Sequence, residues 1–485
     1  MGGVGFVTGF GEGVVRKRAV VCAKDGANPR MRVRGSSNVG GRRVRDREAE
    51  EFAGADDEQS RLYRREAKEK LPAERDATSK LIGAIALVAG TTVGAGVLAL
   101  PAVTREGGFL PSTALLLGAW LYMSTTGNLI AEATAATTAN TGRKEVSLLS
   151  IIELSLGKVG AFSSGAAYVG IHYALLVAYI SQGGRILGEW TDSIVGGVPT
   201  WSLSLLFASA VGSLMYFASD ESVEKVNNAL VAGLVTLFGG LLVTVLPQAV
   251  PENLLHQDIP QAISAIPVLV LSLVFHNIVP SVVSQLDGDL KKTKTAINVG
   301  SAIPLTMFLL WNAAILGTTD ASVAAYDPVE ALRSGGGAIS LVVSSFSLVA
   351  ITTSMFGFVY GLSDFLKDLK QRLGSSGSRS EELPSPGKQV QPFLATLVPP
   401  TALALLAPDI FFEALDSAGA YGISVLFGII PAAMVWRFRY SKERKFSNPV
   451  RPQVPGGKSV LAATGGSAAV LILSEMYQTL SPMLG

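Results

Sequence analysis

Gly90-Thr-Thr-Val-Gly94-Ala-Gly96-Val-Leu-Ala-Leu-Pro101 and Pro267-Val-Leu-Val-Leu-Ser-Leu-Val-Phe275-His276-Asn277-Ile-Val-Pro280-Ser281 lie within apolar segments, yet both carry residues that interrupt a helix. In the first, three glycines fall within seven residues, and each weakens a helix by about 1 kcal/mol relative to alanine. In the second, a His-Asn pair precedes Pro280, which removes an amide donor and loosens the turn before it. A helix breaks at membrane depth only where protein or a water-filled cavity satisfies the freed backbone. Polar residues at that depth are costly and mark pathways and binding sites. The hydroxyls of Thr91 and Thr92, with freed amides near Gly94 and Gly96, can hold a carboxylate. The competing reading of Gly90-xxx-Gly94 is close helix packing, and that of His276 is a helix–helix hydrogen bond.

Outward from these stretches the chain of 485 residues is 48% apolar and 16% charged, with a mean hydropathy of +0.40. Soluble domains carry about 25% charged residues. A crossing needs about 20 apolar residues. Eleven segments qualify, near 81–103, 109–133, 163–187, 201–218, 227–247, 262–284, 296–318, 338–363, 393–407, 418–436 and 459–478, with a short ninth. With the N-terminus inside, the inner loops hold nineteen Lys/Arg, among them Lys291, Lys367, Arg437 and Arg439. The outer loops hold Arg105 and Arg333, with Arg185 just within the third span. This positive-inside asymmetry would be scrambled by losing or adding one span midway. The interrupted first and sixth spans are five apart, the offset of two inverted five-helix repeats with a site at their interface.

Residues 1–47 hold eleven Lys/Arg against Glu12, Asp25 and Asp46. An Arg-rich, acid-poor head reads as an organelle transit peptide, with a plastid-type processing site at Val20-Val21-Cys22-Ala23; a cytosolic tail that binds anionic lipid is the alternative. Residues 48–80 alternate acids and bases and read as a solvated linker, leaving 81–478 as the membrane domain and 479–485 as a short tail. Cys22 is the one cysteine, His172, His256 and His276 are the histidines, and no HExxH occurs. Disulfides within the chain and a Cys/His zinc site are thereby excluded.

GTTVGAGVLALP followed by GGFLPS, then AYISQGGRILGEW, FHNIVPSVV and FGFVYGLSDFLKD, in order and with matching spacing over residues 78–478, resemble the aromatic amino acid permease family. That family includes tyrosine-specific and tryptophan permeases of bacteria and their plastid relatives. The resemblance implies an all-α integral membrane protein of the leucine-transporter type, with two inverted five-helix repeats plus an eleventh helix. It implies proton-coupled symport of an aromatic amino acid, tyrosine favoured, across a plastid inner envelope or another organelle or plasma membrane. Backbone at Thr91, Thr92, Gly94, Ala95 and Gly96 would hold the substrate carboxylate. Carbonyls or hydroxyls around Phe275, His276 and Asn277 would meet its amino group. Tyr179 and Gln182 of the third span would face the same region, as would Ser345, with Ser344 and Phe346, of the eighth; core packing is the other reading of the third-span aromatics.

Sodium-coupled relatives place a carboxamide where this chain has Val97, which argues against one sodium site; Thr352 and Thr353 leave the other open. Residues 226–247 contain no lysine, so a proton-coupling lysine in the fifth span is absent. Glu132 and His276 are the candidate proton carriers, Glu132 being equally an acceptor for freed amides. No cofactor or metal is expected, and the expected partners are the amino acid and the lipid bilayer, not nucleic acid. An intramembrane hydrolase would need a base beside Ser424, and no histidine lies in the neighbouring spans. A non-transporting amino acid sensor and a carrier of another neutral amino acid remain the rival readings.

Overall fold

The computed structural model of the chain describes residues 77–94, 96–143, 146–192, 196–318, 327–334, 337–374, 390–407, 409–442 and 448–484. The basic head 1–47, the linker up to residue 76 and Ala95 lie outside them. Among the described residues every regular element is a helix. Helices α1 (Ala77–Thr92) and α2 (Gly96–Arg105) form one segment bent by 54°. The long helices α3 (Phe109–Thr141), α4 (Leu148–Asp192), α5 (Thr200–Phe217) and α6 (Asp220–Val245) follow. The sixth segment comes in pieces: α7 (Ile259–Ser264), α8 (Ile266–Ser272), a 3₁₀ turn His276–Ile278 and α9 (Val279–Gln285). Then come α10 (Leu290–Thr318), the short α11 (Pro328–Ser334), α12 (Gly337–Gly374), α13 (Val390–Leu406) and α14 (Phe411–Ser417). A π-helix over Ala418–Ile429 continues into α15 (Ile430–Tyr440), and α16 (Gly457–Leu484) closes the order.

Nine of these segments are long and apolar enough to cross a bilayer, and the bent α1–α2 pair makes ten. The short α13 has 17 residues. Phe162, Phe217, Val243 and Leu406 are each at least 76% exposed. Such residues suit hydrocarbon and not water. The core lies where spans face each other, and Trp311, Phe275, Phe308 and Phe346 are its largest fully buried side chains.

Several boundaries depart from the sequence reading. Helix begins at Ala77 and not at 81, and α16 runs through the expected tail to Leu484. The third span is preceded by an extra arm, because α4 starts at Leu148 and kinks at Gly157, whose φ of 73° suits a residue without Cβ. The tenth span is wound as a π-helix for twelve residues, a form that is rare and concentrates at functional sites. Its glycines permit this close winding: a Cβ on Gly419 would strike the Pro267 carbonyl, and one on Gly422 would strike Ile171. Four pairs of spans five apart pack directly, as α2 with α8, α3 with α10, α4 with α12 and α5 with α13.

Candidate functional site

The two sequence breaks meet. A Cβ on Gly96 would lie 2.6 Å from Ser272 Oγ and 3.0 Å from Ser272 Cα, so the start of α2 touches the end of α8. Past Ser272 the chain leaves the helix at Leu273 (φ −102°, ψ 21°) and Phe275 (φ −142°, ψ 5°). Pro280 then stands in the first turn of α9. There its missing amide costs nothing and its fixed φ suits a helix start. Pro280 thus begins a new helix, where the sequence reading had it loosen an old one.

At the first break, Thr91 and Thr92 donate their hydroxyl protons to the carbonyls of Leu87 and Val88, each at 2.8 Å. Their outward lone pairs suit a cationic or N–H group better than a carboxylate, which leaves carboxylate binding to backbone amides. A Cβ on Gly94 would lie 2.7 Å from Ser354 Oγ on α12. Ser354 donates to the Ala350 carbonyl at 2.9 Å, and the Tyr179 hydroxyl lies beside Ser354. The Tyr179 ring meets Phe358 edge-on at 5.7 Å. Tyr179 therefore reaches the break, and Ser354 is the intermediary.

The expected Ser345 does not reach it. Nine residues before Ser354, it lies half a turn around α12 and is half-buried. Gln182 is buried, and its Oε1 accepts from Arg185 Nη2 at 2.8 Å and Nε at 3.2 Å. Arg185 also lies 3.7 Å from Glu330 of α11, and Arg333 of α11 pairs with Glu189 at 3.0 Å. Two arginines and two glutamates thus tie the end of α4 to α11, and Arg333, expected in a loop, is 3% exposed.

The side chains of Phe275 and His276 turn toward α3, away from the α1–α2 break. A Cβ on Gly127 would lie 2.7 Å from the Phe275 ring. His276 Nε2 is 2.7 Å from Thr126 Oγ1, which itself donates to the Met123 carbonyl at 3.1 Å. Thr126 therefore accepts, Nε2 carries the proton, and Nδ1 keeps a lone pair with no hydrogen-bond partner. The imidazole is stacked between Phe275 and Phe427 at 4.7 and 4.8 Å. Its neighbour Asn277 is exposed, in line with Ser281 one turn along, so the carbonyls and amide of this turn, more than the imidazole, border open space.

Glu132 is fully engaged. Its carboxylate takes Arg439 Nε at 2.6 Å, Arg439 Nη2 at 2.7 Å and the Gln453 amide at 2.7 Å. Arg439 Nη2 also reaches the Val454 carbonyl at 2.9 Å. Arg439, counted among the inner-loop cations, is thus folded back: its side chain is 11% exposed and that of Glu132 3%. His172 bonds through Nδ1 to the Tyr168 carbonyl at 2.7 Å and packs on the Tyr168 ring, 3.9 Å between centroids.

Sequence reasoning missed Ser272, Ser354, Thr126, Phe427 and Arg439. Each is a common residue type on an ordinary helix face, and only the tertiary contact distinguishes it. No cluster of His, Cys, Asp or Glu suited to a metal ion occurs among the described residues.

The model of the tryptophan/tyrosine permease family matches residues 77–473. Tyrosine-specific transport system 1 of Haemophilus influenzae is 30% identical over 74% of this chain and 89% of its own length. A tryptophan-specific transport protein of Pseudomonas aeruginosa is 28% identical over 81% of this chain and 91% of its own. Among solved structures, MhsT in complex with L-phenylalanine superposes with a TM-score of 0.55 at 15% identity, covering 81% of this chain and 97% of that one. That likeness shows the leucine-transporter-type fold.

Proposed function

Because the chain belongs to the tryptophan/tyrosine permease family, we propose that it is a secondary active transporter of aromatic amino acids, tyrosine favoured, coupled to protons. The observation that carries this reading is the contact of the two helix breaks at Gly96 and Ser272. Broken half-helices that meet within a bundle are where substrate sites form in such transporters. The packing of spans five apart supports two inverted five-helix repeats.

In this reading the substrate carboxylate lies on the backbone of Gly94 and Gly96. The ammonium meets the carbonyls of Phe275, His276 and Asn277 and the lone pairs of Thr91 and Thr92. Tyr179 and Gln182 form the wall toward α4. His276 Nδ1, on the α3 side of this turn, is the proposed proton acceptor. Glu132 holds Arg439 and the Gln453 amide together and so ties the segment around Gln453 and Val454 to α3. The Arg-rich head supports delivery to an organelle, with the plastid inner envelope as the proposed membrane.

Uptake of labelled tyrosine into proteoliposomes, under an inward proton gradient or an inward sodium gradient, tests the proposal. Stimulation by the proton gradient alone is expected. Stimulation by sodium alone would overturn the coupling, and tyrosine binding without any uptake would favour a sensor.

A further inference from the structure

Helix α12 carries several hydroxyls at membrane depth, and the three nearest the first break are spent on the helix itself. Thr352 donates to the Leu348 carbonyl at 2.7 Å, and Thr353 and Ser354 donate to the Ala350 carbonyl at 3.0 and 2.9 Å. This back-bonding is the ordinary fate of such a hydroxyl in a helix. Ser347 departs from it. Its side chain is fully buried, and its Oγ has no hydrogen-bond partner. A buried polar atom left unsatisfied carries its full desolvation cost, so an unspent hydroxyl in this position calls for an explanation.

The helix period says where it points. Ser347 and Ser354 are seven residues apart, within about 20° of one another around the helix axis. Ser354 is the residue that lies beside the Tyr179 hydroxyl and sits over Gly94 at the first break. Ser347 therefore lies on the same face, two turns along α12, on the side of the break where α2 and Gln182 lie. Around the helix from it, Phe346 faces a separate aromatic cluster with Trp311 at 5.3 Å and Phe238 at 6.1 Å.

We propose that the Ser347 hydroxyl is the specificity-determining handle for the ring-borne donor of an aromatic amino acid, the phenol O–H of tyrosine or the indole N–H of tryptophan. The inference rests on the transport reading above. With the amino acid backbone held at the breaks, an aromatic side chain extends along this face. Its donor meets a lone pair that the fold has left free. Phenylalanine carries no such donor and leaves Ser347 unsatisfied, and a site with a buried polar group discriminates against a ligand that cannot pair with it. One neutral hydrogen bond of this kind corresponds to roughly a tenfold preference.

The test uses the full chain in proteoliposomes, with tyrosine, tryptophan and phenylalanine competing for uptake of labelled tyrosine. Wild type should prefer tyrosine or tryptophan over phenylalanine by about tenfold. Ser347→Ala should bring that preference close to unity while phenylalanine uptake persists, which also reports that the variant is folded. Ser347→Thr, which keeps the hydroxyl, should retain the preference. An unchanged preference in Ser347→Ala, or no preference in wild type, would overturn the inference and leave the transport reading standing. Absence of uptake of any of the three by wild type would overturn both.

Discussion

Replacing Gly96 by alanine probes the contact on which the site depends, and replacing Gly90 by alanine is its matched control. Both changes add one methyl group to a helix that prefers alanine over glycine by about 1 kcal/mol. At Gly90 nothing lies within 4 Å of the new Cβ, so the helix term stands alone. At Gly96 the Cβ would meet Ser272 Oγ at 2.6 Å and Ser272 Cα and Cβ at 3.0 Å. Carbon atoms pack comfortably at about 3.5–4.0 Å. Ser272 cannot easily yield, because Cα is main chain and Oγ is held by the Val268 carbonyl at 2.8 Å. Forcing a methyl into such a contact costs about 1–3 kcal/mol, which exceeds the helix gain. Gly90→Ala should therefore stabilise by up to about 1 kcal/mol and Gly96→Ala destabilise by up to about 2 kcal/mol. Thermal unfolding of the detergent-solubilised protein reads the sign of each, and uptake should fall in Gly96→Ala alone. Equal stability of the two variants would refute the meeting of the two breaks.

Three further outcomes follow from the buried polar pairs. Thr126→Val removes the acceptor of His276 Nε2–H and should cost about 1–3 kcal/mol in thermal or denaturant unfolding, whereas Thr125→Val, at an exposed hydroxyl already bonded to the Leu121 carbonyl, should be close to neutral. Glu132→Gln leaves Arg439 buried without its counter-charge and should cost about 3–5 kcal/mol; a Glu132→Gln, Arg439→Gln double variant should recover part of that loss, which a double-mutant cycle measures. Arg333→Gln should likewise destabilise by several kcal/mol because Arg333 is almost wholly buried against Glu189, while Lys80→Gln, in an exposed pair with Asp287, should change stability by less than about 1 kcal/mol.

Much of the fold was legible because lipid imposes simple rules. Apolar length located the spans, and glycines and Pro280 located both breaks. What escaped was whatever depends on one helix meeting another. The π-winding of Ala418–Ile429 leaves no mark in an apolar run, since it comes from how closely Gly419 and Gly422 approach Pro267 and Ile171. Arg439 reads as an inner-loop cation until Glu132 is found facing it across a separation of 307 residues. At the proposed site, Tyr179 was named from its segment and lies beside Ser354, but Ser345 was chosen without the register of α12. The register that brings Ser354 to Gly94 turns Ser345 away. His276 was singled out as a polar group at depth and is fully buried, yet its direction follows from Thr126 and Phe427, which carry no signal of their own.

The central claim is that an aromatic amino acid sits where the two broken helices meet, and a protection experiment at Asn277 tests it most directly. Asn277 is exposed beside the second break, and Cys22 is the one native cysteine. In a Cys22→Ser background, the Asn277→Cys variant would be reacted with a small water-soluble thiol reagent, with and without saturating tyrosine. The account predicts that tyrosine slows this labelling severalfold and that an amino acid the protein does not carry leaves it unchanged. Labelling at full speed under saturating tyrosine, in protein that still transports it, would place the substrate elsewhere and contradict the account.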